Sequence, residues 1–454
     1  MGKSKIAGSL SGKPKNSTKV YRQTCWYEDV DIAYVEDVIN DTLELNLSAL
    51  TSYVSNGEYF FKLYDDRYMV METINKSTTD GVIRYLLLQI DIRNQTVNIL
   101  DRGSISTVLN LGSYEAGWNL NQVNEHLLYF TGRYGSRYSS LTEFMDTAIY
   151  IYDDQVTTAE LKINALHEMR REDAYTLRSG DVTQVDDATV ILPYAYRYYD
   201  SGYLGSSYTC RAGTIRYTLA DGQLTSPVRT EYVLPAASNG DTYMTSSIEI
   251  VQAAGRWRCV SATSRSGEAT SYVASTDLVI GASVSYGDTT ELLKATLDVR
   301  TAKPIGVEGT DRIALIATDN YLMIDYGGAK PLPVGSVVAH NERMDLKTIK
   351  PAGINKYYYD YWFKGADGQK AMVLSADGIS ILREGGFVGS NAAVPLIYDT
   401  SEEVLIGAPM YRSSIYLAKY PYVETIRNRT GGAIAGITAA SAGPGKRVAL
   451  YKPE

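Results

Sequence analysis

Apolar and polar positions alternate in short runs through most of this chain, and the clearest copy of the pattern is residues 370–387, KAMVLSADGISILREGGF. Two apolar runs, 371–374 and 379–382, flank a polar turn at Ala376, Asp377 and Gly378. Val, Ile and Leu on either side of an Asp-Gly pair predict an antiparallel hairpin with a type I′ turn. Asp and Gly tolerate the positive φ such a turn needs, and β-branched residues resist it. One hairpin buries too little apolar surface to stand alone, so it must pack on others like it.

The pattern recurs. From residue 58 onward, strand-length runs flank polar turns at 65–67, 93–95, 153–154, 221–222, 266–267 and 327–328. Most of the turn centres lie roughly 45–65 residues apart, close to the blade length of β-propellers. The spacing predicts a mainly β chain of repeated antiparallel hairpins, folded as a β-propeller of six or seven blades. A β-sandwich array is the competing arrangement. Closing the ring removes long exposed sheet edges.

The ends differ. Residues 1–20 carry Lys3, Lys5, Lys13, Lys15 and Lys19 among Gly, Ser and Asn, and read as a flexible basic arm, either solvated or ordered against a partner. In the lead-in over 21–57, Ile32, Val35, Val38, Ile39 and Leu43 recur at spacings of three and four, with Asp29 or Asp31 placed to cap. That spacing predicts a short N-terminal helix. The repeat domain then spans 58–426, and 427–454 form a Gly- and Ala-rich C-terminal arm ending in a short strand.

Composition narrows the role. A hydrophobic content of 44% and a charged content of 21% belong to a folded soluble chain. The net charge of −8 argues against general nucleic-acid binding, which calls for a basic surface. No apolar run reaches the roughly 18 residues of a membrane span, and residues 1–19 lack the apolar core of a secretory leader. Tyrosine is the outlier, with 38 Tyr against 6 Phe and 4 Trp. Its hydroxyl needs a partner, so it suits half-buried strands and wet interfaces. Two clusters are candidate partner contacts. One is Tyr357, Tyr358, Tyr359, Tyr361 and Trp362; the other is Tyr196, Tyr198 and Tyr199, in a segment over 180–205 that reads as an outward loop. Aromatic pairing across strands within a sheet is the equal alternative.

The search for catalytic patterns is negative. His126, His167 and His340 stand apart, and Cys25, Cys210 and Cys259 show no CxxC spacing, so no metal or cofactor is predicted and the thiols read as buried and free. No GxSxG elbow occurs, and the phosphate-loop look-alike at 8–14 has Pro14 where Ser or Thr belongs. Paired carboxylates at 65–66, 153–154, 186–187 and 402–403 are sequence neighbours. Adjacent strand residues point to opposite faces, and Asp is favoured at turns for backbone reasons, so these pairs make poor acid–base couples.

The run TGGAIAGITAASAGPGKRVALYKP, residues 430–453, resembles the small-residue C-termini of tailed-bacteriophage particle proteins. With the basic arm and the Tyr-rich hairpins, the chain is similar to structural proteins of the phage tail or head–tail junction. That resemblance implies a non-enzymatic protein of the virion, a homo-oligomeric ring meeting other virion proteins through tyrosine-rich loops and terminal arms. Two other readings stand beside it. One is a host-receptor or glycan-binding tail component, in which the cluster from Tyr357 to Trp362 stacks on a host surface glycan. The other is a polysaccharide-degrading propeller enzyme, whose carboxylates converge on a central channel.

Overall fold

Strands here run as near-continuous apolar stretches, LLYF at 127–130 and AIYIY at 148–152, because a blade between two others must bury both of its faces. The computed structural model describes residues 4–6, 20–21, 23–27, 30–36, 43–46, 59–75, 81–91, 96–107, 118–135, 142–162, 178–202, 205–234, 243–265, 271–295, 302–339, 344, 346, 349–353, 355–363, 366–385, 396–399, 404–407, 414–419 and 447–452. Among the described residues, seven antiparallel sheets form the blades of a β-propeller, six of four strands and one of five whose inner strand is split in two. Blade I covers 59–107, blade II 118–162, blade III 178–233, blade IV 243–295, blade V 302–339 and blade VI 350–385. Blade VII combines Leu396–Asp399, Val404–Gly407 and Ser414–Lys419 with Leu43–Asn46 from the other end of the chain. First strands of successive blades pack on one another from II through V, and that of blade VII meets those of blades VI and I.

Period-two alternation sends side chains to both neighbours. In blade II, Leu128, Phe130, Ile149 and Ile151 join Met69, Ile83 and Leu87 of blade I in one core. Leu127, Tyr129, Ala148 and Tyr150 join Val190, Leu192 and Tyr217 of blade III in the next. Three more such cores couple III to IV, IV to V and V to VI. Each fully buried aliphatic or aromatic side chain contributes about 1.5–3 kcal/mol, so these interfaces are where the stability resides. Tyrosine fits them because its hydroxyl finds a partner on the next blade. Tyr129 donates to the Tyr217 hydroxyl at 2.8 Å, Tyr150 accepts the Leu224 N–H at 2.8 Å, and Tyr326 donates to Ser275 at 2.9 Å.

The predicted N-terminal helix is replaced by strands. Among the described residues of the lead-in, Gln23–Tyr27, Val30–Glu36 and Leu43–Asn46 are extended. Leu43–Asn46 is the outer strand of blade VII, with Leu43 opposite Leu417 and Asn46 opposite Ser414. Val30–Glu36 pairs with Arg447–Lys452 in a further five-stranded sheet. Val30, Ile32 and Tyr34 also alternate at period two, and pairing with strands some 400 residues away settles the ambiguity that local spacing leaves open. The outward loop expected over 180–205 is likewise strand, Thr183–Asp186 and Thr189–Gly202.

Two-residue turns with positive φ at both positions occur at Asp153 and Asp154 (49° and 59°), Asp221 and Gly222 (49° and 73°), and Ala254 and Gly255 (49° and 67°). At the hairpin ending blade VI the positive φ falls instead on Gly378, at 145°, with the Asp377 N–H bonded to Ser375 Oγ. At Gly222 the Tyr152 hydroxyl also occupies the place a Cβ would take. Gly222→Val therefore pays in strained backbone, roughly 1–2 kcal/mol, and in displaced Tyr152. Thermal unfolding should show a lower Tm for this variant; an unchanged Tm would mean the turn does not constrain the II–III interface.

Candidate active site

Single charges on two inner strands, and one in a strand break, mark the site. The innermost strand of blade III is broken into Arg178–Ser179 and Thr183–Asp186, both paired with Thr189–Gly202. The break aims the Asp181 N–H at blade IV, where Glu249 Oε2 accepts it at 2.8 Å. Glu249 lies on the inner strand Tyr243–Ala253. Gly180 permits the approach, since a Cβ there would overlap the Ile248 carbonyl oxygen and stand 2.9 Å from Glu249 Oε2. Lys303, on the inner strand Ala302–Gly306 of blade V, donates to Asp181 Oδ2 at 3.2 Å. A side chain of blade V that meets blade III must pass on the axis side of blade IV. The three groups therefore converge at the wall of the central channel.

Inter-blade hydrogen bonds hold this wall. Asn121 Nδ2 of blade II donates to the Val182 carbonyl at 3.1 Å, and the Ala302 N–H donates to Ser247 Oγ at 3.3 Å.

Glu249 is half-buried, with enough protein packed about its carboxyl to disfavour the charged form. Burial, and next the Asp181 charge, push that carboxyl up to about 8, against the opposing pull of Lys303 and the Asp181 N–H. Burial alone would lower the Lys303 ammonium, yet the Asp181 and Glu249 charges outweigh it and leave Lys303 raised. At neutral pH the site thus presents a carboxyl that holds its proton beside a carboxylate paired with a cation. Such a trio can deliver a proton and stabilise the positive charge that develops when a bond to oxygen breaks.

The residues expected as partner contacts lie elsewhere. Tyr359 is buried in the core between blades V and VI, with Tyr357 packed against that core. Tyr196 is buried too, stacked on Tyr194 at 6.2 Å and donating to Glu231 Oε1 at 3.0 Å. Tyr196 and Tyr359 are thus buried side chains of the blades, and neither is exposed as a surface anchor. Tyr358, Tyr361 and Trp362 fall on the strand Lys356–Phe363, and Tyr198 and Tyr199 on Thr189–Gly202; their side chains lie outside the described residues. Asp66 and Asp154, from two of the sequence-adjacent pairs, both bind Arg67. His126 sits between the Tyr64 and Tyr152 rings at 4.4 and 4.7 Å, and Cys210 and Cys259 are buried free thiols. Glu249 and Lys303 were missed in the sequence, where their one mark is a single charge inside the apolar stretches IEIV and AKPI. The Asp181 bulge leaves no such mark.

No family model matches the chain, and no curated protein matches it. Among solved structures it is similar to the β-propeller domain of the Trilobed protease from Pyrococcus furiosus, at 8% identity over 83% of this chain and 98% of that one, TM-score 0.41. A Lactobacillus plantarum protein matches at 11% identity over 86% and 97%, TM-score 0.38. A post-proline cleaving enzyme from Rickettsia typhi matches at 10% identity over 80% and 56%, TM-score 0.25. The expected non-enzymatic virion protein has no counterpart among these neighbours. Two of the three carry the names of proteases, and none is described as a particle component.

Glu249 also sets a pH dependence of stability. Its folded value is raised from 4.5 to about 8, so its contribution is complete below the lower value and is lost as pH rises through the higher. Lys303 titrates above this window. Glu249→Gln should flatten the fall in Tm across that range. An equally steep fall in the variant would assign it to other groups.

Proposed function

We propose that this chain is a propeller enzyme that cleaves glycosidic bonds of a polysaccharide lying against the channel wall. The observation that carries the reading is the Glu249 carboxyl, raised to about 8 beside the Lys303-paired Asp181. Glycoside hydrolysis needs one carboxylic acid to protonate the leaving oxygen and a second carboxylate on the sugar. Glu249 suits the first role because it keeps its proton at neutral pH while remaining acidic enough to release it. Asp181 suits the second, either stabilising the positive sugar carbon or drawing a proton from water. Lys303 is a positioning residue, holding Asp181 ionised and aimed into the channel.

Reducing-end release from soluble plant and bacterial polysaccharides by the purified full chain tests this. Glu249→Gln should lower kcat by ~100-fold or more with little change in KM. The alkaline limb of the rate profile, centred near the Glu249 value of about 8, should vanish in the residual activity. Unaltered cleavage by Glu249→Gln would remove the channel trio from the reaction. Release of peptides from a protein substrate, lost in the same variant, would reassign the trio to amide hydrolysis.

A further inference from the structure

Away from the channel, blades IV and V leave a cavity of about 610 Å3 between their turn-bearing ends, within the range of small-molecule sites. Its polar wall is formed by Arg256, Arg258, Asp277, Asp288, Asp311 and Lys330. Three cations face three anions, so the site offers no net charge to a phosphate, a carboxylate or an amine. Its apolar lining is small, namely Ala254, Ala329, Pro331 and the Tyr326 ring under Arg258, while Thr289 and Thr290 add hydroxyls. Arg258 is the fixed donor. It is 5% exposed and its guanidinium lies over the Tyr326 ring at 4.2 Å. Its Nη1 donates to the Ala253 carbonyl, while its Nε stands 3.1 Å from Asp277 Oδ1 outside hydrogen-bond alignment. The ion pair with Asp277 holds the guanidinium in place at the cavity wall. On the opposite side Gly327 and Gly328 present bare backbone at the surface.

We infer that this cavity binds a neutral, hydroxyl-rich saccharide segment. Adjacent sugar hydroxyls donate and accept in pairs, and matching them takes what this wall supplies, forked guanidinium donors set among carboxylate acceptors. Tyr326 is covered by Arg258, so recognition is through polar groups and not through ring stacking. The cavity shares no lining residue with the channel trio, so binding here does not require cleavage there.

Calorimetric titration of the full chain with maltohexaose, cellohexaose, xylohexaose and chitohexaose tests it. At least one should bind saturably at one site. The Asp288→Ala, Lys330→Ala double variant alters two surface residues and should weaken that binding about tenfold, or about 1.4 kcal/mol. The Glu249→Gln chain, in which cleavage is suppressed, should bind equally, and loss of that binding when Asp288→Ala and Lys330→Ala are added to it separates this site from the channel. No saturable binding of any of the four, equal binding by the double variant, or loss of binding in Glu249→Gln would each overturn the assignment. Saturable binding of a zwitterionic Asp-Lys peptide in place of the sugars would overturn it as well.

Discussion

The hydrogen bond from the Asp181 backbone to the Glu249 carboxyl joins two blades at the channel, and the chemistry of the site depends on it. It forms because the inner strand of blade III breaks at Gly180, where no side chain fits against the Ile248 carbonyl. The same break brings Asp181 within reach of Lys303, two blades along the chain. Neither contact exists within any one blade. Both are created by the ring, which holds the inner strands of blades III, IV and V side by side.

The ring in turn rests on burial of both faces of every blade. Blade II shows the device most plainly, with Leu128 and Phe130 committed to blade I and Leu127 and Tyr129 to blade III. A Phe at every such position would pack as well but would tie nothing across the gap. The Tyr129–Tyr217 and Tyr326–Ser275 hydrogen bonds show why this chain uses tyrosine instead. Blade III extends the idea into a network. Tyr194 and Tyr196 both donate to Glu231, which also holds Arg229. Burial, chiefly, raises both tyrosines, so their hydroxyls stay protonated and remain donors.

Hairpins were legible because their signal is local. The turns at Asp153 and at Asp221 carry residues that tolerate positive φ, and the blade spacing follows from counting them. The segment from Val30 to Asn46 was misread because its apolar positions fit a helix and a strand alike, and the deciding partners, Ser414–Lys419 and Arg447–Lys452, lie at the other end of the chain. Composition left the tyrosine clusters open between partner contact and packing within the sheets, and Tyr196 and Tyr359 are core residues. The site was missed in the sequence. A single Glu in IEIV and a single Lys in AKPI contradict their apolar surroundings and ask for partners. Which partner each finds is fixed by the order of blades around the axis, and no sequence spacing encodes that.

The most direct test is the titration of the Glu249 carboxyl itself, followed by carbon NMR of protein labelled at glutamate side chains, in the native chain and in Asp181→Asn. Inter-blade burial and the Asp181 charge predict a carboxyl titrating near 8 that moves down when the Asp181 charge is removed. A Glu249 signal titrating near the ordinary 4.5, and indifferent to Asp181, would contradict the account.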